Sequence, residues 1–168
     1  MIDWEDTIRC EGPALWRSIY RLVQNRTDAD ECLQETFVAA VKLSQRQAVQ
    51  NWPTLLKHLA VARAVDCLRK RMRRARIEDV HDIDVVPAVG RSPADRAENA
   101  ELARVLRWAL AQVPVRSAEA LCLYELEDWT YEAIGEHLSI SSGAVGMLLA
   151  RARRRLQKLL AKTWERQA

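Results

Sequence analysis

The feature that most constrains this chain is apolar spacing. Leu15, Ile19, Leu22 and Val23 recur at intervals of three and four, and so do Leu102, Val105, Leu106, Ala109, Leu110 and Val113. That interval places side chains on one face of an α-helix, whereas a half-buried strand alternates every second residue. Only five glycines and five prolines interrupt 168 residues. Such scarcity of breakers disfavours a strand-and-turn architecture and allows long helices. Apolar residues make up 49%, enough to build a core. The fold class is therefore all-α.

Periodicity fails once, from Ile77 to Pro93, where Pro87, Gly90 and Pro93 stand among acids such as Glu78, Asp79, Asp82 and Asp84. This stretch reads as a flexible linker joining two small helical domains, residues 1–76 and 94–168. In the first block, Thr27 can cap a helix, with Asp30 at the reciprocal position. That helix is expected to bury Ala29, Leu33, Phe37 and Ala40 or Val41, and to expose Glu31, Gln34, Glu35 and Val38. After a polar stretch, Ser44 to Asn51, Pro53 suits the first turn of a long helix with Trp52, Leu55, Leu56, Leu59, Ala62, Leu68 and Met72 on its apolar face.

Charge is nearly balanced at +3 but unevenly placed. Arg63, Arg69, Lys70, Arg71, Arg73, Arg74 and Arg76 face one acid, Asp66, within their run; Arg151, Arg153, Arg154, Arg155 and Lys158 face none. Two basic clusters in a nearly neutral chain point to two polyanion contacts, against the plainer reading of solvated helix faces. Cys10, Cys32, Cys67 and Cys122 form no C-x-x-C pair, and no histidine completes a zinc spacing, so neither metal nor cofactor is expected. Cys32 and Cys67 read as core thiols in a reducing compartment. No secretory leader or membrane-length apolar run is evident, which places the chain in the cytoplasm.

The stretch from Thr130 to Leu156 has the spacing of a DNA-reading helix pair. Thr130 starts a short helix; Gly135 is small where two helices cross; Ser139-Ile140-Ser141 makes the turn; Ser141 or Ser142 caps a long second helix. That helix buries Val145, Leu149, Ala152 and Leu156, leaving Met147, Arg151, Arg154 and Lys158 opposite. A plain helical hairpin is the competing reading.

In combination, Asp28-Ala29-Asp30-Glu31-Cys32-Leu33-Gln34-Glu35-Thr36-Phe37, Asp66-Cys67-Leu68-Arg69-Lys70-Arg71, Trp129-Thr130-Tyr131-Glu132-Ala133-Ile134-Gly135 and Gly143-Ala144-Val145 with Arg151-Ala152-Arg153 resemble regions two and four of the extracytoplasmic-function sigma factors of bacterial RNA polymerase. The resemblance covers nearly the whole chain in the family's order. It implies that Asp30, Gln34 and Glu35 bind core polymerase, with Phe37 in the core. It implies that residues 44–51 receive an extruded promoter base, and that Arg63, Arg69, Lys70, Arg73 and Arg74 hold phosphates at the −10 element. Trp52 is either a base-stacking residue or a core tryptophan, and Asp66 orients neighbouring arginines. The last helix, through Ser142, Ala144, Gly146, Met147, Arg151, Arg153 and Arg154, would meet the −35 element.

Three departures stand out. Ala62 replaces the family's usual Asn. Ser139 replaces a turn glycine, where left-handed backbone would cost about 1–2 kcal/mol. Ala144, Gly146, Met147 and Leu148 replace polar reading residues, so few side chains can discriminate bases by hydrogen bonding. The helix then reads DNA shape and methyl groups while its arginines grip phosphate, or it offers Met147 and Leu148 to a protein such as an anti-sigma factor. The function expected is a sigma factor that binds core RNA polymerase and promoter duplex. Alternatives are a stand-alone helix-turn-helix regulator and an interaction module that has lost DNA binding. No enzyme motif is found, and His58, His81 and His137 lie in unrelated contexts.

Overall fold

A computed structural model describes the backbone of residues 2–78 and 93–165, and the side chains of residues 2–75 and 99–162. Among the described residues there are seven helices and no strand: α1 Trp4–Val23, α2 Arg26–Ser44, α3 Trp52–Glu78, α4 Pro93–Leu110, α5 Val115–Glu127, α6 Tyr131–Leu138 and α7 Ser142–Glu165. The expected linker falls mostly on residues 79–92, outside the described ones, as do Asp79, Asp82, Asp84 and His81.

Helix starts follow short polar side chains, not always the expected ones. Asp3 accepts from the Asp6 amide (3.1 Å), so α1 begins at Trp4. Asn25, not Thr27, caps α2, accepting from the Asp28 amide at 2.9 Å. Asn51 serves α3 and Ser141 serves α7 in the same way. Each satisfies an amide that the helix leaves orphaned.

α1, α2 and α3 form the first core, on Leu15, Ile19, Val23, Ala29, Leu56, Ala60, Val61, Ala64 and Val65. The buried stripe of α2 runs through Ala29, Cys32, Thr36 and Ala40, rotated from the expected one; Phe37 is buried, while Leu33 and Val41 are half-buried at the rim. Periodicity missed this because Thr36 is polar. Its hydroxyl donates to the Cys32 carbonyl (2.7 Å), which removes the cost of burying it. Trp52 is half-buried, edge-on to Trp4 with ring centroids 5.0 Å apart, as a packing residue rather than an exposed platform.

α5, α6 and α7 form the second core on Leu121, Leu123, Ile134, Leu138, Val145, Leu149 and Ala152. Leu102 and Leu106, expected inside α4, are exposed. The two blocks touch. Arg69 on α3 donates to the carbonyls of Ala111 (3.0 Å) and Val113 (2.8 Å) beyond α4, and Arg21 donates to the Leu126 carbonyl beside Glu127. His58 on α3 meets His137 on α6, ring centroids 5.4 Å apart, so these histidines share a context that their sequence separation concealed.

Ser139 adopts the left-handed conformation, φ 54° and ψ 47°, and its amide and that of Ile140 close α6 onto the carbonyls of Glu136 and Gly135. Ser139→Gly should therefore raise stability by about 0.5–1 kcal/mol, measured by urea unfolding, because glycine adopts this backbone without strain. An unchanged midpoint would show that the turn carries no strain.

Candidate nucleic-acid and polymerase interface

The second block presents α7 through the turn that α6 makes with it. Thr130 caps α6 by accepting from the Ala133 amide (3.2 Å), and Arg116 on α5 donates to the Leu138 carbonyl at the other end of α6. With Val145, Leu149 and Ala152 buried, the exposed face of α7 carries Met147, Arg151, Arg154 and Lys158. Met147 is 58% exposed, an apolar side chain in the middle of a cationic surface. Among the described residues no ion pair neutralises Arg151 or Arg154.

Three residues expected at the DNA face are placed differently. Gly146 is half-buried against α6: a Cβ built there meets the Tyr131 ring at 3.5 Å, an ordinary contact. It packs the two helices together and is turned away from the groove-facing side. Arg153 is bonded to Glu125 of α5 (2.8 Å) and lies 5.5 Å from the centroid of the Tyr124 ring, which leaves it less able than Arg151 to grip phosphate. Ala144 is half-buried, its amide given to Ser141. Ser142 is exposed at the helix start.

The first basic cluster divides in the same way. Arg73 and Arg74 are exposed near the end of α3. Arg63 pairs with Glu35 across α2 and α3 at 3.9 Å. Lys70 pairs with Asp66 at 3.0 Å, and this carboxylate raises the lysine pKa; Asp66 thus holds a lysine rather than an arginine. Arg69 is occupied by the Ala111 and Val113 carbonyls, so in this conformation it is not presented to DNA. Arg71, adjacent in sequence, joins the end of α1 to the start of α2 through the Val23 carbonyl (3.0 Å) and Asp28 (3.1 Å). The segment 44–51, which joins the end of α2 to the start of α3, is largely exposed.

The acidic face of α2 borders a feature that the sequence reading missed. An open groove of about 730 Å³ runs along α2 beside Ile8 of α1, lined by Ile8, Leu33, Phe37, Val38 and Val41, with Asp30, Gln34, Lys42 and Gln45 as its polar residues. Ile8 and Val38 are 48% and 47% exposed. Asp30 is held in place by the Trp16 indole N–H (2.7 Å). An apolar floor with a polar rim is the composition of a protein-binding patch. The one signal in sequence was Val38, an apolar residue on an otherwise polar helix face. Its partners Ile8 and Leu33 needed the helix packing to reveal them.

No single helix among the described residues is long and apolar enough to cross a membrane, and no cluster of three metal-ligating side chains occurs among them.

Comparison with known proteins finds a match for each of the two blocks. The chain matches Sigma-70 region 2 over residues 7–74 and Sigma-70, region 4 over residues 103–156. It is 30% identical over 163 residues to the ECF RNA polymerase sigma factor SigE of Mycolicibacterium smegmatis, covering 96% of this chain and 63% of that protein. It is 27% identical to the RNA polymerase sigma factor CarQ of Myxococcus xanthus, covering 95% of this chain and 90% of that one. In fold it is similar to the sigma factor RpoE of Bartonella quintana, solved with the anti-sigma factor NepR, at a TM-score of 0.58 and 22% identity over 95% of this chain and 97% of that one. With both regions in order, and relatives of this kind along its length, the chain belongs to the extracytoplasmic-function group of the sigma-70 family.

Proposed function

We propose that the chain is a sigma factor: it binds core RNA polymerase in the cytoplasm and directs promoter recognition and transcription initiation, with no chemistry of its own. The observation that carries this reading is the groove on α1 and α2, bordered by Asp30 and Gln34, in a chain that also bears two separate basic surfaces. A stand-alone regulator needs the basic surfaces alone. Core polymerase is the partner proposed for the groove, with Asp30, Gln34 and Glu35 on or beside its border. Promoter duplex is the partner proposed for α7, where Arg151 and Arg154 neutralise phosphates, and for the end of α3, where Arg73 and Arg74 do so. An anti-sigma factor would find apolar surface at Leu102, Leu106, Trp108, Val115 and Met147, all at least 40% exposed.

The test separates the two kinds of contact. Val38→Asp with Gln34→Lys should weaken core polymerase binding at least about tenfold, since two charges carried into an apolar interface lose their hydration, a cost that their own pairing along α2 only partly offsets. DNA binding of the free chain should stay within about twofold. Equal loss of both, or of neither, would favour the stand-alone regulator. Arg151→Ala should lower DNA affinity on all sequences alike and reduce the slope of log affinity against log salt by about 0.9. A change confined to one base position would contradict a phosphate contact.

A further inference from the structure

The thiols of Cys32 and Cys67 face each other across the seam between α2 and α3. Cys32 is buried, and its Sγ lies 3.7 Å from the Arg63 carbonyl oxygen. Cys67 stands one helical turn beyond Arg63 and is half-buried, so the carbonyl that Cys32 meets lies one turn before Cys67 on α3, and the two side chains share one stretch of the seam. The seam is bordered by the Arg63–Glu35 pair on one side and the Arg71–Asp28 pair on the other. Among the described residues no cluster of three metal-ligating side chains includes these thiols.

We propose that Cys32 and Cys67 are a hydroperoxide-reactive dithiol whose oxidation to a disulfide ties α2 to α3 and lowers transcription. The division of roles follows from the surroundings. The neighbouring Cys32 thiol, assisted by the Arg71 guanidinium, holds the Cys67 pKa down against burial and Asp28. Cys67 and its own burial push Cys32 up. Cys67 is thus both the more accessible sulfur and the one that ionises first, which makes it the nucleophile. Its thiolate attacks the peroxide O–O bond: the S–O bond forms, O–O breaks, and the departing alkoxide or hydroxide takes a proton. The Cys32 sulfur then attacks the sulfenic sulfur: S–S forms, S–O breaks, and hydroxide leaves with the Cys32 proton as water. Two thiols lose two electrons and the peroxide gains them.

The bond holds the two sulfurs at about 2.05 Å, which draws α2 and α3 together at this turn. α2 carries the groove border and Glu35, and α3 carries Arg63. Helix shifts of about 1–2 Å are the size at which interfaces switch. This consequence for transcription rests on the sigma-factor reading; the disulfide itself does not.

The experiment treats the full chain with hydrogen peroxide, blocks remaining thiols, digests with trypsin and compares run-off transcription before oxidation, after it, and after dithiothreitol. The expected products are a disulfide between peptides 27–42 and 64–69, a several-fold fall in transcription, and recovery on reduction. Cys67→Ser should give neither the bond nor the fall. Iodoacetamide should label Cys67 at least about tenfold faster than Cys122, whose thiol burial pushes up to about 12. Absence of the 27–42/64–69 bond at peroxide levels that oxidise exposed Cys10 would overturn the proposal. So would a disulfide that leaves the transcription of an active chain unchanged. A reduced chain that never transcribes would defeat the sigma-factor reading instead, with the bond judged by mass alone.

Discussion

Gly135→Ala should lower the stability of the C-terminal block by about 2–3 kcal/mol, with its melting temperature falling by about 10 °C or more. A Cβ at this position would stand 2.7 Å from the Ile140 carbonyl oxygen, a distance that carbon and oxygen do not tolerate. The neighbour is backbone, and it is backbone already committed. The Gly135 carbonyl accepts from the Ile140 amide at 2.9 Å, and Ser141, next in the chain, caps α7. Relief would have to move the whole turn, and with it the crossing of α6 and α7. Alanine's better helix propensity, about 1 kcal/mol over glycine, offsets part of the cost. Gly12→Ala supplies the control, because a Cβ there meets nothing within 4 Å; it should be neutral or stabilising. Equal effects of the two substitutions in thermal unfolding would mean that the crossing at Gly135 is looser than its geometry. Gly146→Ala tests the other side of the crossing. Contact with Tyr131 at 3.5 Å leaves room for the methyl, so that variant should gain up to about 1 kcal/mol.

Acidification should weaken the contact between the two blocks well before it titrates ordinary carboxylates. Burial holds His58 down to a pKa of about 4, from 6.5, with the neighbouring His137 ring assisting. Burial also lowers His137, against the opposing pull of Glu136. The His58 Nε2 has no hydrogen-bond partner, and Trp129 covers His137 at 4.9 Å between ring centroids. Both histidines are therefore neutral in the folded chain near pH 7. Once the contact opens, His58 regains its ordinary affinity for a proton, so the open state binds more protons between pH 6.5 and 4. Stability is complete above pH 6.5 and declines as pH falls through that window, by about 3 kcal/mol for His58. Urea unfolding from pH 7.5 to 4.5 should show this slope, and His58→Gln, which cannot titrate, should flatten it. Proton NMR should find the His58 midpoint near 4 in the native chain. A native midpoint above 6 would contradict the buried, unprotonated ring.

Much of the helix-turn-helix was legible because its signals are local. A capping Thr130, a small residue at 135, a turn at 139–141 and apolar residues at 145, 149 and 152 each lie within two turns of the next, and helical geometry converts such spacing directly into faces. The strained Ser139 was equally readable, since a non-glycine residue where a helix must reverse has few backbone options. The helix caps were less so: Asn25 and Thr27 are both competent, and which one leads depends on where α1 ends. The stripe of α2 was misjudged by one residue, because hydropathy ranks Leu33 above Thr36, while burial of Thr36 needs only the carbonyl one turn back.

The basic clusters show the limit more sharply. Sequence counts charges but does not pair them. Arg151, Arg154, Arg73 and Arg74 point to solvent, while Arg69 and Arg71 are spent on backbone carbonyls and Arg153 on Glu125. An arginine that satisfies helix-end carbonyls has a tertiary role as well as a charge, and nothing in its sequence neighbours announces which it will be.

The chain's own sequence determined what repeats along a helix: amphipathic segments in two blocks, the capped turn before α7, and a reading face poor in hydrogen-bonding side chains. Tertiary structure decided what meets across helices. It closed the groove of Ile8, Leu33 and Val38, brought His58 to His137, and set Cys32 against Cys67 over 35 positions of chain. The division has one physical cause. Helical periodicity fixes the direction of each side chain about its own axis, whereas the rotation and offset between packed helices depend on the summed fit of many distant side chains, and that sum is not written in any local pattern.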